Sequence, residues 1–319
     1  MKTATLGKDG LKVSALGIGL MGIGGIYGRR DEAQSIAAIE RALELGVTHF
    51  DTADVYGASE DIIGRAMKGR FGRIQIATKC GLVGVGVDGS PAHIKRSCET
   101  SLRRLGTDVI DLYYLHRPDP KVPIEESVGA FADLRREGKI RHVGLSEFNP
   151  EQLRRAAKVT PIAALQSEYS LFVRGIEDQV LGVCRELGIG LVAFSPLGRG
   201  LLTGKIRSAG DLSVGGDRRS KMMPQLRGDN LEANLRLVAE VEAVARAVGA
   251  TTTQVALAWL MAQGDDIVPI PGSSSVATLE ENVGALSVSL TQAQMQRLDP
   301  LAGRVQGDRR PDLSALTDN

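Results

Sequence analysis

The chain has 319 residues, 43% of them hydrophobic and 24% charged, with a formal net charge of +1. That is enough apolar sequence for a sizeable core, and the near-neutral charge gives no bias toward nucleic acid, membrane surfaces or acidic partners. Without a run near the ~20 apolar residues of a membrane helix or a secretory-type core in residues 1–13, the expectation is a cytoplasmic protein. In chain order, 3–6 and 11–13 flank Gly7-Lys8-Asp9-Gly10 and read as an N-terminal hairpin. Strand-like segments follow at 15–18, 48–51, 74–79, 109–115, 140–145, 163–166, 190–194 and 266–269. Helix-like segments alternate with them at 31–45, 59–68, 91–105, 124–137, 150–158, 176–187 and 231–248, with further helix at 252–263 and 275–286. The helix signals are local: Asp31 as an N-cap, Gly46 as a stop, Pro91 in a first turn, Gly106 after the last, and Asn149-Pro150 opening a helix. Strands that each lead into helix, with no composition break, predict an α/β chain, a single (β/α)8 TIM barrel over 1–319 with its core at about 3–300 and a short tail at 301–319.

The cysteines (Cys80, Cys98, Cys184) are odd in number and lack CxxC spacing, and the four His are dispersed. Reduced thiols and no zinc site are therefore expected. Cys80 adjoins Lys79, but nothing marks it as a nucleophile. The connection 195–230 is long and rich in Gly, Arg and Lys, as functional or mobile loops are.

Asp51, Lys79 and His116 each end a strand-like run, and Tyr56 lies in the turn that follows Asp51. Chemistry in a (β/α)8 barrel is done at the C-terminal strand ends. Each residue alone has an ordinary explanation: a turn cap, a half-buried phenol, a solvated lysine, a structural histidine. Together they make a proton-transfer device. A Lys79–Asp51 ion pair beneath Tyr56 favours the phenolate, so Tyr56 is suited to protonate a carbonyl oxygen as hydride arrives, or to deprotonate an alcohol in reverse. His116 is expected to orient the carbonyl and share the proton.

The segment Phe50-Asp51-Thr52-Ala53-Asp54-Val55-Tyr56-Gly57, with Glu60 and Gly64, resembles the signature of the aldo-keto reductases. Ala77-Thr78-Lys79, Leu115-His116-Arg117, Gly144-Leu145-Ser146-Glu147-Phe148, Gln166-Ser167-Glu168-Tyr169-Ser170, the run Phe194–Gly200 and the run Ile270–Asn282 are similar to further motifs of that family, in order over about 3–290. The resemblance implies NAD(P)-dependent interconversion of carbonyls and alcohols on a metal-free barrel. It also implies a small-molecule carbonyl substrate, no nucleic-acid or membrane partner, and a monomer or homo-oligomer.

The resemblance also distributes a cofactor over the strand ends. Gly17-Ile18-Gly19-Leu20-Met21-Gly22 satisfies GxGxxG, but a glycine-rich stretch follows it where a dinucleotide fingerprint needs a helix. Gly19, Leu20 and Met21 instead line the nicotinamide end of a barrel-bound cofactor, with Asp51 beneath. Ser146 and Gln166 meet the carboxamide, and Phe194 stacks on the ring unless it is simply core. Many relatives have asparagine where this chain has Glu147, which leaves a cofactor contact by Glu147 open. Ser195, Pro196, Leu197, Gly198, Gly200 and Lys205 correspond to the pyrophosphate loop, Lys205 having a plain surface charge as its alternative. Gly272, Ser273, Ser274, Thr278, Glu281 and Asn282 correspond to the adenosine grip.

No Arg or Lys stands between Pro271 and Asn282, where many NADPH-using relatives pair one with the 2′-phosphate. NADPH is the expected cofactor, its phosphate held by serines, amides or loop cations such as Arg218, Arg219, Lys221 or Arg227; NADH is the alternative. Leu82, Val83, Val85 and Val87, with Tyr27, Met222 and Met223, are candidates for an apolar pocket wall, and a plain glycine-rich connector at 81–90 is the competing reading. A Schiff-base aldolase using Lys79 leaves Tyr56 and Gln166 without a task. A non-catalytic cofactor sensor, as in potassium-channel β subunits of the same superfamily, sits poorly with an intact set of four.

Overall fold

Alternation along each strand decides what the barrel holds. Side chains two apart face the same way, so Ala77 and Lys79, Leu112 and Tyr114, Ala164 and Gln166, and Val192 and Phe194 project to one side. Ile76, Tyr113, Leu115, Val143, Leu165 and Leu191 project to the other, into the larger apolar cluster shared with the helices. The computed structural model describes residues 1–25, 31–212, 219 and 223–308. The expected pocket residues Tyr27 and Met222 and the cations Arg218 and Lys221 lie outside the described residues.

The strands are β1 (Thr3–Leu6), β2 (Leu11–Ser14), β3 (Ile18–Gly19), β4 (His49–Asp51), β5 (Gln75–Cys80), β6 (Leu82–Val83), β7 (Gly86–Val87), β8 (Ile110–Leu115), β9 (Ile140–Ser146), β10 (Ile162–Glu168), β11 (Gly190–Phe194) and β12 (Ile267–Pro269). Eight of them form a parallel sheet in the order β12-β11-β10-β9-β8-β5-β4-β3. Its two edges meet: Gly17 N donates to Pro269 O at 2.9 Å, Gly19 N donates to Pro271 O at 3.1 Å, and Gly19 bridges Gly272. The result is the (β/α)8 barrel of the sequence expectation. The β1–β2 hairpin packs Ala4, Leu6, Leu11 and Val13 with Ala77, Leu112, Ala163, Ala164, Val192 and Val268 of the barrel strands. Among the described residues, no helix is long and apolar enough to cross a membrane.

The outer helices are α1 (Glu32–Glu44), α2 (Ser59–Ala66), α3 (Pro91–Leu105), α4 (Ile124–Arg136), α5 (Pro150–Ala157), α6 (Val180–Leu187), α7 (Gly228–Val248), α8 (Thr252–Met261), α9 (Val276–Gly284) and α10 (Gln292–Leu298). α3 has the expected bounds because both stops are local: Ser90 accepts from His93 N, and Gly106 takes a left-handed φ of 69°.

Four expectations shift. The first barrel strand pairs only at 18–19, not 15–18, and the helix expected at 176–187 divides into a 3-10 turn (Gly175–Glu177) and α6, with Gln179 at φ −144° between them. Loop 81–90 holds the small hairpin β6–β7, and Val83 and Val85 are exposed rather than lining an apolar wall. Packed structure continues past 300: a 3-10 helix (Asp299–Arg304) runs on from α10, Leu301 is buried, and Asn234 Nδ2 donates to Gln306 O at 2.8 Å.

Candidate active site

The strand ends bring the four expected residues together. Asp51 ends β4 and Lys79 lies one residue from the end of β5, and both side chains are almost fully buried. Lys79 Nζ donates to Asp51 Oδ1 at 2.5 Å and to Thr52 O at 2.7 Å. Gln166 Nε2, from β10, donates to Asp51 Oδ2 at 2.7 Å. The carboxylate is thus held by an ammonium on one oxygen and an amide on the other, as a buried charge requires. Tyr56 stands above this pair and stays half-exposed. Its ring centroid is 5.1 Å from Lys79 Nζ and 5.8 Å from that of His116, with the two rings near perpendicular at 78°.

His116 follows β8 and is 4% exposed, with Nδ1 buried and lacking a hydrogen-bond partner among the described residues. Burial first, then the charges of Arg117 and Lys79, hold its imidazole well below the usual histidine range, so the ring is neutral. Arg117 is also buried, and its Nη1 donates to His116 O and, at 3.0 Å, to Ser146 Oγ. With that oxygen lone pair engaged, the Ser146 proton is directed elsewhere.

The Tyr56 turn is pressed against the loop after β3. A Cβ on Gly24 would lie 1.8 Å from Tyr56 O, and one on Gly57, at φ 57°, would lie 2.4 Å from Gly24 O. Two backbones this close leave room for glycine alone.

The sequence profile of the Aldo/keto reductase family matches residues 15–302. This chain belongs to the aldo-keto reductase family. It is 44% identical over 302 residues to "Probable aldo-keto reductase 1" of Glycine max, covering 92% of this chain and 86% of that one. To "Aldo-keto reductase str7" of Strobilurus tenacellus it is 44% identical over 317 residues, covering 95% and 94%. Among solved structures, the glycerol dehydrogenase AKR11B4 from Gluconobacter oxydans is similar with a TM-score of 0.86 and 33% identity, over 97% of this chain and 98% of that one. The thermostable aldo-keto reductase Tm1743, in complex with the inhibitor epalrestat, gives 0.77 and 32% over 94% and 100%. Aldo-keto reductases are oxidoreductases that act on carbonyls with nicotinamide cofactors.

In this aldo-keto reductase the residues expected at the pyrophosphate and the adenosine follow β11 and β12, which neighbour β3 across the barrel seam. Ser195, Gly198, Arg199 and Gly200 all take left-handed φ (48°, 55°, 53° and 99°). Such a run curls the backbone into a concavity that can take an anion, with Gly198 N and Gly200 N already spent on Ser195 O at 2.9 Å and Leu197 O at 3.0 Å. Pro196 and Leu197 are buried beneath it. Arg219 Nη1 donates to Arg199 O at 2.8 Å, which brings one of the expected loop cations to this concavity.

Across the barrel seam, Gly272 and Ser274 are exposed, and a Cβ on Gly22 would come 3.9 Å from Ser274 Cβ. Ser275 caps α9 by accepting from Thr278 N and donates to Thr278 Oγ1 at 3.0 Å, which engages the Thr278 hydroxyl. Asn282 Nδ2 donates to Ser273 Oγ at 2.9 Å, while Asn282 Oδ1 is buried with no partner among the described residues. A buried acceptor without a donor beside a backbone nest fits the two ends of a dinucleotide. Lys205 pairs with Glu281 at 2.8 Å, so these two expected ligands hold each other. Leu20 has a wholly buried side chain, which leaves only its backbone for a ligand; Gly19 and Met21 flank it.

Glu147 takes φ 64°, and its carboxylate accepts from Ser167 Oγ at 2.8 Å and from Glu168 N at 2.9 Å. Glu168 in turn pairs with Arg199 at 2.6 Å. The sequence reading gave no task to Arg117, Glu168, Arg199, Glu60 or Arg104, all of which sit in charge networks around this site. Their partners are distant in sequence, and no local pattern announces the pairing.

Proposed function

We propose that this chain reduces aldehydes or ketones to alcohols with NADPH, Tyr56 acting as the proton donor. The observation that carries the reading is the cluster in which a buried Lys79–Asp51 pair lies under the half-exposed ring of Tyr56 and beside a neutral His116. When bound, a dihydronicotinamide supplies the hydride. Lys79 has three donors; Asp51 and Thr52 O take two, and the third is available to the charge that develops on the phenol oxygen. The neutral imidazole of His116 orients the carbonyl oxygen through a ring N–H and leaves proton donation to Tyr56, rather than sharing the proton. Ser146, pre-set by Arg117, and the Gln166 carbonyl, freed by the bond its amide makes to Asp51, suit the donor and acceptor of a carboxamide. Asn282, Ser273 and the 195–200 nest would hold the remainder.

A second reading, an NAD-linked alcohol, sugar or pyridoxal dehydrogenase on the same site, is favoured by the absence of any Arg or Lys between Pro271 and Asn282. Parallel fluorescence titrations with NADPH and NADH separate the two. Tighter NADPH binding by about tenfold, ~1.4 kcal/mol, supports the first, and equal or tighter NADH binding supports the second. Binding of neither overturns both.

A further inference from the structure

Tyr56 lies on the loop 54–60, and one guanidinium outside the site grips both ends of that loop. Arg104, in the last turn of α3, donates from Nη1 to Asp54 O at 3.1 Å and to Glu60 Oε2 at 3.3 Å. The first acceptor precedes Tyr56 in the chain, and the second follows it at the start of α2. Glu60 is 1% exposed. A carboxylate so buried needs both a counter-charge and a hydrogen bond on its other oxygen, and Thr78 Oγ1 supplies the latter at 2.7 Å. Thr78 is the neighbour of Lys79 on β5. An unbroken chain therefore runs from the loop that bears the phenol to the strand that bears the ammonium.

Of the loop's other fastenings, one is backbone: Asp54 N donates to Lys79 O at 3.1 Å and seats the start of the loop on β5. Thr52 Oγ1 donates to Ser59 Oγ, which donates to Leu20 O, tying the loop to the end of β3. Gly24 and Gly57 press it against the same side. Lys79 Nζ also reaches Thr52 O, just ahead of the loop; the Arg104–Glu60–Thr78 chain ties the far end of the loop, at Glu60, to the strand of Lys79. The outer side of Arg104 faces a cavity of about 370 Å³ lined in part by His93, Arg96, Ser97 and Thr100, and its side chain is 38% exposed.

We propose that Arg104, Glu60 and Thr78 form a positioning device that fixes the Tyr56 phenol over Lys79 for proton transfer. Its effect on turnover rests on the acid role assigned to Tyr56 above; its effect on the loop does not. A reacting group displaced by about an ångström can lose on the order of a hundredfold in rate, so loosening the loop should lower kcat and leave cofactor affinity alone.

The test is the full-length Arg104→Ala protein, with 4-nitrobenzaldehyde and NADPH as probes. Three readouts are followed: kcat, NADPH affinity by fluorescence, and amide hydrogen exchange of the peptide spanning 53–60. The expected result is a kcat loss of roughly tenfold to a hundredfold, unchanged NADPH affinity, and faster exchange confined to that peptide. Low concentrations of guanidinium ion, for which the cavity has room, should restore part of the lost kcat. Unaltered exchange at 53–60 overturns the proposal, as does a kcat loss that merely tracks lost NADPH binding. A wild-type protein that turns over no carbonyl removes the proposed function, and the exchange result still decides this one. Should Arg104→Ala fail to fold, Thr78→Val keeps the Glu60–Arg104 pair and cuts the chain at β5. It should accelerate the same exchange, and no acceleration there overturns the proposal equally.

Discussion

Lys79 Nζ lies 2.5 Å from Asp51 Oδ1 and 5.1 Å from the centroid of the Tyr56 ring, so one buried ammonium serves a carboxylate and a phenol together. The pair is structural and chemical at once, and variants should separate the two roles.

Tyr56→Phe removes the proton donor and keeps the ring. NADPH affinity should be unchanged, since the expected cofactor contacts lie at the ends of β3, β4, β9, β10, β11 and β12 and do not include Tyr56. Turnover should fall by about 10²–10⁴, the usual worth of a positioned acid. Steady-state kinetics beside a fluorescence titration check this, and wild-type-like turnover would sink the acid role.

Lys79→Met leaves Asp51 buried without its cation. Breaking a buried pair from one side costs about 3–5 kcal/mol, which thermal unfolding should register as a clear drop in Tm. Lys79→Met combined with Asp51→Asn removes the stranded charge and should recover most of that Tm while turnover stays lost. A double variant no more stable than the single one would mean that the pair does not compensate as described.

Two buried groups make stability depend on pH in opposite senses. Burial, and secondarily Lys79, hold His49 down to about 4 from 6.5, with Asp51 opposing. As pH falls below 6.5 the unfolded chain takes up a proton that folded His49 refuses, so stability is lost down to about 4. Burial, with Glu60 of α2 adding to it, pushes Asp54 up to about 7 against the pull of Arg104 on α3 and Lys79 on β5. The folded chain keeps that proton while the unfolded one releases it above 3.8, so stability is lost as pH rises from there to about 7. Asp54→Asn should therefore raise Tm at pH 8, by roughly 2–5 °C, and match wild type near pH 4. Its acid limb below 6.5 should be steeper, because His49 then acts unopposed. Parallel Tm–pH curves decide it, and identical curves would refute the burial argument.

How much of this was legible beforehand depends on how local each signal is. The strand ends bearing Asp51, Lys79 and His116 could be read because a strand shows its alternation and its turn within a few residues. The bounds of α3 could be read because Ser90-Pro91 and Gly106 punctuate it. The Arg104–Glu60 contact could not: an acid in the first turn of α2 and a base in the last turn of α3 look like ordinary responses to helix dipoles. The exposure of Val83 and Val85 was hidden likewise, since apolar residues in a glycine-rich loop suggest a wall until the β6–β7 pairing turns them to solvent. Helix α10 lies inside the expected core of 3–300 but outside the expected helices, although its Thr291–Gln294 capping box is a local signal.

Cofactor choice gives the last prediction. The adenosine grip has hydroxyls at Ser273, Ser274, Ser275 and Thr278, but Ser273 accepts from Asn282 and Ser275 is committed to Thr278. Ser274 is the exposed one, across the seam from Gly22. Ser274→Arg therefore introduces a guanidinium where a 2′-phosphate can be met by a charge-assisted hydrogen bond, without breaking a bond that holds the loop. NADPH affinity should tighten by about tenfold, ~1.4 kcal/mol, and NADH affinity should stay as it was. Because the added interaction is ionic and exposed, the gain should shrink as salt is raised. A gain for both cofactors would point to general charge attraction, and a gain for neither would put the 2′-phosphate elsewhere, with Arg219 beside the 195–200 nest as the next residue to change.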